Sequence, residues 1–318
     1  MPPGAPCTPA IETKDNRHFT LAPPCPKLIP VTILGSEPVP ATRHATRPTA
    51  TPIVATAATW PWATYAIEAA GVAILVLWVS LLAVALAHPA SPLVVLVADP
   101  IVRTVLRALA LGAFTVGFVY STAGRRSGAH LNPAITLAFY ALGRVELRDA
   151  IGYVIAQVAG DLAGAAFAVA IGGAWLAAPA MHYAAPIPAA GIGAAFAIEA
   201  AAAFVAMTVV LAVMNHPRFT RYTGLASGAV LALFVILAAP VSGASFNPAR
   251  GLATAVPAAL WTHLWIYLAA PPAGALLAAL VRRLRLGGDA SYCAKLDHPT
   301  AGACHFRCRF GELMDQKP

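Results

Sequence analysis

SGAHLNPA at residues 127–134 and SGASFNPA at residues 242–249 are identical at six of eight positions, and each opens a short apolar segment. Asparagine is a favoured helix N-cap, and proline is favoured at the first helical position because its missing N–H has no partner there. One Asn-Pro pair marks only a helix start; two, in matching surroundings, mark an internal repeat. The segments they open, 132–143 and 247–260, make helices of about 15 Å, half the thickness of a bilayer core.

The chain around them is membrane-grade. Of 318 residues, 59% are hydrophobic and only 11% charged, which excludes an ordinary soluble domain and makes the lipid bilayer the expected partner. The net charge of +8 does not point to nucleic acid, because the basic residues sit in short groups between apolar runs. Six runs approach the roughly 20 residues a crossing needs: 62–88, 103–123, 149–175, 190–214, 222–239 and 263–284. Each short segment follows two runs and precedes a third, and three crossings per copy invert the second copy. The expected fold is an all-α membrane protein with six transmembrane helices, two re-entrant half-helices and an inverted internal repeat.

Residues 1–59 are rich in Pro, Thr and Ala without a helical period and read as a disordered Pro-rich tail. Residues 60–286 form the membrane domain and 287–318 a second tail carrying Cys and His. No signal peptide is visible, so the first span directs targeting. Arg125, Arg126, Arg144, Arg148, Arg218, Arg221, Arg282, Arg283 and Arg285 all fall on the side of the two termini, which makes that side cytoplasmic by the positive-inside bias. Arg103 and Arg107 run against it.

Half-helices entering from opposite faces meet at the midplane with their positive dipole ends opposed. Non-helical backbone at that depth must be buried in protein or line an aqueous path. The SGAHL and SGASF pieces would offer carbonyl acceptors, and Asn132 and Asn247 amide donors, to a neutral solute, while the dipole ends repel cations. Arg250, three residues after Asn247, puts a cation near the positive end of a helix at membrane depth, two costs that favour a position facing water.

These motifs, with YVIAQVAG at 153–160, WIYLAAPPAGA at 265–275 and the acids Glu68 and Glu199 at matching places in the two halves, resemble the aquaporin, or major intrinsic protein, superfamily. The resemblance implies a homotetrameric channel domain, in the plasma (cytoplasmic) membrane, with both termini cytoplasmic. It implies pore motifs at Asn132, Pro133 and Ala134 and at Asn247, Pro248 and Ala249, a pore-lining His130, and Glu68 and Glu199 bracing the re-entrant loops. Counting from the two asparagines places its selectivity filter at Gly112, Val235, Ala244 and Arg250. Such a filter is wide and half apolar, similar to the nodulin-26-like and glycerol-permeable branches, although Gly251 stands where dedicated glycerol facilitators have Asp. The expected function is passage of water with glycerol, urea or metalloid acids, excluding ions and protons; the alternative is a water-selective aquaporin.

Asp161 has no place in the pattern. In the second tail, Cys293, His298, Cys304 and Cys308, with His305 as an alternate, are a donor set that can hold zinc tetrahedrally. A membrane-anchored redox or metal sensor acting through that tail is the reading from another class, and a junction protein with an occluded pore a third. No nucleotide loop, catalytic triad or H-E-x-x-H helix is present, so no enzyme is expected and permeation requires no cofactor.

Overall fold

A computed structural model describes residues 60–287, 290–298 and 304–316; the expected disorder of 1–59 lies outside them. The described residues form α1 (Trp62–Ala87), α2 (Pro92–Leu96), α3 (Pro100–Tyr120), α4 (Thr122–Ser127), α5 (Pro133–Ala141), α6 (Leu147–Ala177), α7 (Ile192–Met214), α8 (Thr223–Ser242), α9 (Pro248–Ala258), α10 (Leu264–Leu286) and α11 (Phe310–Met314), with no strand among them. Six of these are long and apolar enough to span a membrane: α1, α3, α6, α7, α10, and α8 with the turn before it.

The inverted repeat pairs α1, α3, α5 and α6 with α7, α8, α9 and α10. Accordingly α1 packs on α6 as α7 packs on α10, and the paired α3 and α8 pack on each other. Lipid tails give no hydrophobic drive between helices, so these contacts depend on close backbone approach and dispersion. Gly160 and Gly164 bring α6 against the carbonyls of Ala69 and Ala73, and Gly274 brings α10 against Ala200; a Cβ at any of the three would lie within 2.4 Å of those oxygens. The outer faces carry exposed Ile74, Leu109, Ile155, Phe167, Leu233 and Leu277, the surface that hydrocarbon requires.

The half-helices α5 and α9 begin as the repeat predicts. Asn132 Oδ1 caps α5 through Ala134 N at 2.9 Å, and Asn247 Oδ1 caps α9 through Ala249 N at 3.0 Å. The proline after each asparagine occupies the first helical position.

Candidate functional site

The two asparagines tie the repeats together. Asn132 Nδ2 donates to Phe246 O and Asn247 Nδ2 donates to Leu131 O, both at 2.8 Å. An amide NH2 carries two hydrogens, so each asparagine commits one to the opposite repeat and has one left over. Sequence reasoning assigned the donors wholly to the path; half of that capacity is structural.

The carbonyls that receive these bonds belong to strained residues. Leu131 and Phe246 have φ of +50° and +54°, a left-handed conformation that costs about 1–3 kcal/mol for a bulky residue. A buried glutamate holds each one. Glu68 accepts from Ser127 Oγ and Leu131 N at 2.7 Å, from Gln157 Nε2 at 2.9 Å and from His130 N at 3.1 Å. Glu199 accepts from Phe246 N at 2.6 Å, Ser242 Oγ at 2.7 Å and Ser245 N at 2.8 Å. Each carboxylate satisfies amides that the bent backbone leaves without ladder partners, and so fixes which way the neighbouring carbonyls point.

Around these segments lies a cavity of about 350 Å³, lined by Arg107, Leu111, Val235, Ala244 and Arg250, by Asn132 and Asn247, and by His130 and Leu296. Its walls are mostly apolar, with few polar groups. Arg250 Nη1 donates to Ala244 O at 2.7 Å and Nη2 reaches Ala184 O at 3.5 Å, while its buried Nε has no hydrogen-bond partner among the described residues.

Gly112 does not line the cavity. It faces α8, where a Cβ would meet Gly228 O at 2.7 Å, and a Cβ on Gly228 would meet Gly112 O at 2.5 Å. The residues of α3 that do line it, Arg107, Leu111 and Thr115, recur every four positions and share one helix face. Counting back from Asn132 fails because α3 ends at Tyr120 and the short helix α4 intervenes after Ser121; one residue more or less there rotates the register by about 100°. Leu111 therefore stands where the count put Gly112. Arg107 was also missed, although an arginine inside a span against the charge asymmetry was its signal.

Asp161 on α6 is buried, and neither carboxylate oxygen has a hydrogen-bond partner among the described residues; Arg250 is the cation whose field reaches it. His130 is buried too. Its Nε2 donates to Ala294 O at 2.9 Å, and its ring stacks on Phe139 at 5.1 Å and on Phe306 at 5.4 Å.

Ala294 and Phe306 belong to the second tail, which packs on the membrane helices rather than standing apart. One ligand atom each from Cys293, His298, Cys304 and Cys308 lie within 4.8 Å of one another, with Cys293 Sγ and Cys304 Sγ at 3.6 Å and Cys308 Sγ and His298 Nε2 at 3.2 Å. Hydrogen bonds from Cys293 and Cys304 hold the Cys308 thiol well below the usual thiol range. His305 turns away from this group to Tyr153 Oη at 3.0 Å; burial, aided by the charge of Lys295, brings its pKa down to about 3 and keeps it neutral.

Residues 57–282 match the family described as Major intrinsic protein. Among curated relatives, the chain is 40% identical to Aquaporin NIP1-4 of Oryza sativa subsp. japonica over 57% of this chain and 66% of that protein. It is 36% identical to the Glycerol uptake facilitator protein-like 6 of Lactiplantibacillus plantarum over 51% of this chain and 76% of that one. The match to the first of these thus spans just under two thirds of the relative's length. The fold is that of the aquaglyceroporin from Plasmodium falciparum, with a TM-score of 0.58 at 17% identity, covering 72% of this chain and 98% of that chain. The Asn-capped half-helices, their bracing glutamates and these likenesses agree: the chain belongs to the major intrinsic protein family.

Proposed function

We propose that the protein is a passive transmembrane channel for water and small uncharged solutes such as glycerol, urea or metalloid acids, and that it excludes ions and protons. The observation that carries this reading is the continuous cavity running from Arg107 and Arg250, past Asn132 and Asn247, to His130 and Leu296. A neutral hydroxylated solute entering it exchanges water for the free amide hydrogens of the asparagines and the carbonyls of the bent segments. A cation meets two guanidinium groups and the positive ends of two half-helices.

The constriction is formed by Leu111, Val235, Ala244 and Arg250. Three apolar side chains beside one donor favour solutes with a hydrocarbon face and hydroxyls on the other, and the leucine makes the opening narrower than a glycine would. His130 lines the opposite end, and Glu68 and Glu199 act on permeation only through the backbone they hold. The relatives named for glycerol uptake and as aquaporins support the solute class. Permeation needs no cofactor; a zinc-class ion at Cys293, His298, Cys304 and Cys308 would serve the tail.

The channel domain is assigned to residues 60–286, the arginine-rich side and both termini to the cytoplasm, and the molecule to the cytoplasmic membrane as a homotetramer. Cross-linking in native membranes tests the assembly, and cysteine accessibility at the tail tests the orientation. The solute is tested by stopped-flow swelling of reconstituted vesicles in water, glycerol, urea and boric acid gradients. Solute flux together with water flux is expected. Strong water flux without solute flux identifies a water-selective channel instead, and no flux of either kind overturns the reading.

A further inference from the structure

We propose that Cys293, His298, Cys304 and Cys308 bind one zinc-class divalent ion, and that this ion holds the second tail as a lid over the mouth of the cavity on the tail side. The lid rests on the channel reading above; the metal site does not.

The donor set is three sulfurs and one imidazole nitrogen, a combination that selects zinc in tetrahedral geometry. Thiolates about 2.3 Å from a tetrahedral zinc stand about 3.8 Å apart. Cys293 Sγ and Cys304 Sγ are 3.6 Å apart, near that edge and far beyond a disulfide bond of about 2.05 Å. The four side chains come from residues 293–298 and 304–308, which carry no helix or strand. A segment this short has no core of its own, and a metal is a usual remedy below about 40 residues. Binding releases the thiol protons to bulk water and leaves the sulfurs as anionic ligands.

The residues that touch the membrane domain are interspersed along the chain with the ligands. Ala294, next to Cys293, accepts from His130 Nε2. Leu296, two before His298, donates its amide to Gly128 O at 3.2 Å and lines the cavity. Asp297, beside His298, pairs with Arg125 at 2.6 Å. Phe306, between Cys304 and Cys308, covers the His130 ring at an interplanar angle of 11° and packs so closely on Gly128 that a Cβ there would lie 2.8 Å from its ring. Fixing the four ligands fixes all four lid contacts, and releasing the ion frees the loops that carry them. The tail is thus built as a metal-held closure of one mouth.

Full-length protein is reconstituted in vesicles and assayed for zinc content and for swelling in water and glycerol gradients, as purified, after chelation and after zinc is returned. About one zinc per chain is expected, with swelling rising at least about threefold on chelation and reversing on zinc return. Cys304→Ser with Cys308→Ser should lack zinc and swell like the stripped protein. Leu296→Ala with Phe306→Ala keeps every ligand, and should bind zinc yet swell fast. Metal-replete protein holding less than about 0.1 zinc per chain overturns the metal site. Zinc-bound protein whose fast swelling is the same in every arm overturns the lid and leaves the channel reading standing. Absence of swelling in every arm overturns lid and channel reading together, while the zinc content still decides the metal site.

Discussion

The Glu199 carboxylate takes the Phe246 amide at 2.6 Å, and the Phe246 carbonyl takes the Asn132 amide of the other repeat at 2.8 Å. One residue held at φ +54° therefore links a buried acid in the second half to the helix cap of the first. The relation repeats with Glu68, Leu131 and Asn247, so strain in each loop is offset by an acid from its own half and an amide from the opposite one.

Glu199→Ala should for that reason be severe. It strands the amides of Ser245 and Phe246 in the interior, a loss of about 3–5 kcal/mol, and the melting temperature in detergent should fall by on the order of 10 °C. Glu199→Gln keeps one acceptor oxygen and should lie between. A fall of only one or two degrees for the alanine variant would show that the loop does not depend on the acid.

Asp161 gives the opposite expectation from the same residue class. Its two carboxylate oxygens are buried without hydrogen bonds among the described residues, so the site loses a desolvation cost when the group is removed. Asp161→Ala should raise stability by about 1 kcal/mol, or about 2–4 °C in the melt. A drop of several degrees would mean that attraction to Arg250 outweighs the cost of burial.

Much of this was legible in the sequence, because the signals were local. Asn132-Pro133 and Asn247-Pro248 predict capped helix starts from two adjacent residues, and segment length against bilayer thickness makes them half-helices. What failed needed geometry that accumulates along the chain. Placing Gly112 in the cavity required carrying helical phase through Ser121 and α4, and the phase was lost by one residue. The packing of Ala294 and Phe306 on His130 joins residues more than 160 positions apart and has no periodic signature. The tail ligands were readable as a donor set, but not the contacts to the membrane helices made by the residues among them, which only the folded arrangement gives meaning.

Arg107 and Arg250 enter the cavity wall from different elements, so in the proposed channel a barrier to cations is shared between them. At an effective dielectric of about 20, two unit charges about 8 Å apart interact by about 2 kcal/mol, or about thirtyfold in the rate over such a barrier. Arg107→Leu should raise the potassium leak of reconstituted vesicles by up to that factor, whereas Arg107→Lys should not. Equal leaks for the two variants would remove Arg107 from the barrier and leave it to Arg250 and the half-helix dipoles.

Leu111 and Gly112 are neighbours in sequence and should behave as different kinds of residue. Leu111 lines the cavity, so Leu111→Trp with Val235→His should narrow the constriction and cut glycerol swelling at least about tenfold, with water flux held within about threefold. Gly112 is pressed against Gly228, and a side chain there must push α3 from α8. Gly112→Leu should cost about 1–3 kcal/mol by overpacking and lower the melting temperature and yield, while the glycerol-to-water ratio of the surviving protein stays unchanged. The reverse pattern, with selectivity moved by position 112 and indifferent to position 111, would restore the glycine to the path and rotate α3 by one residue.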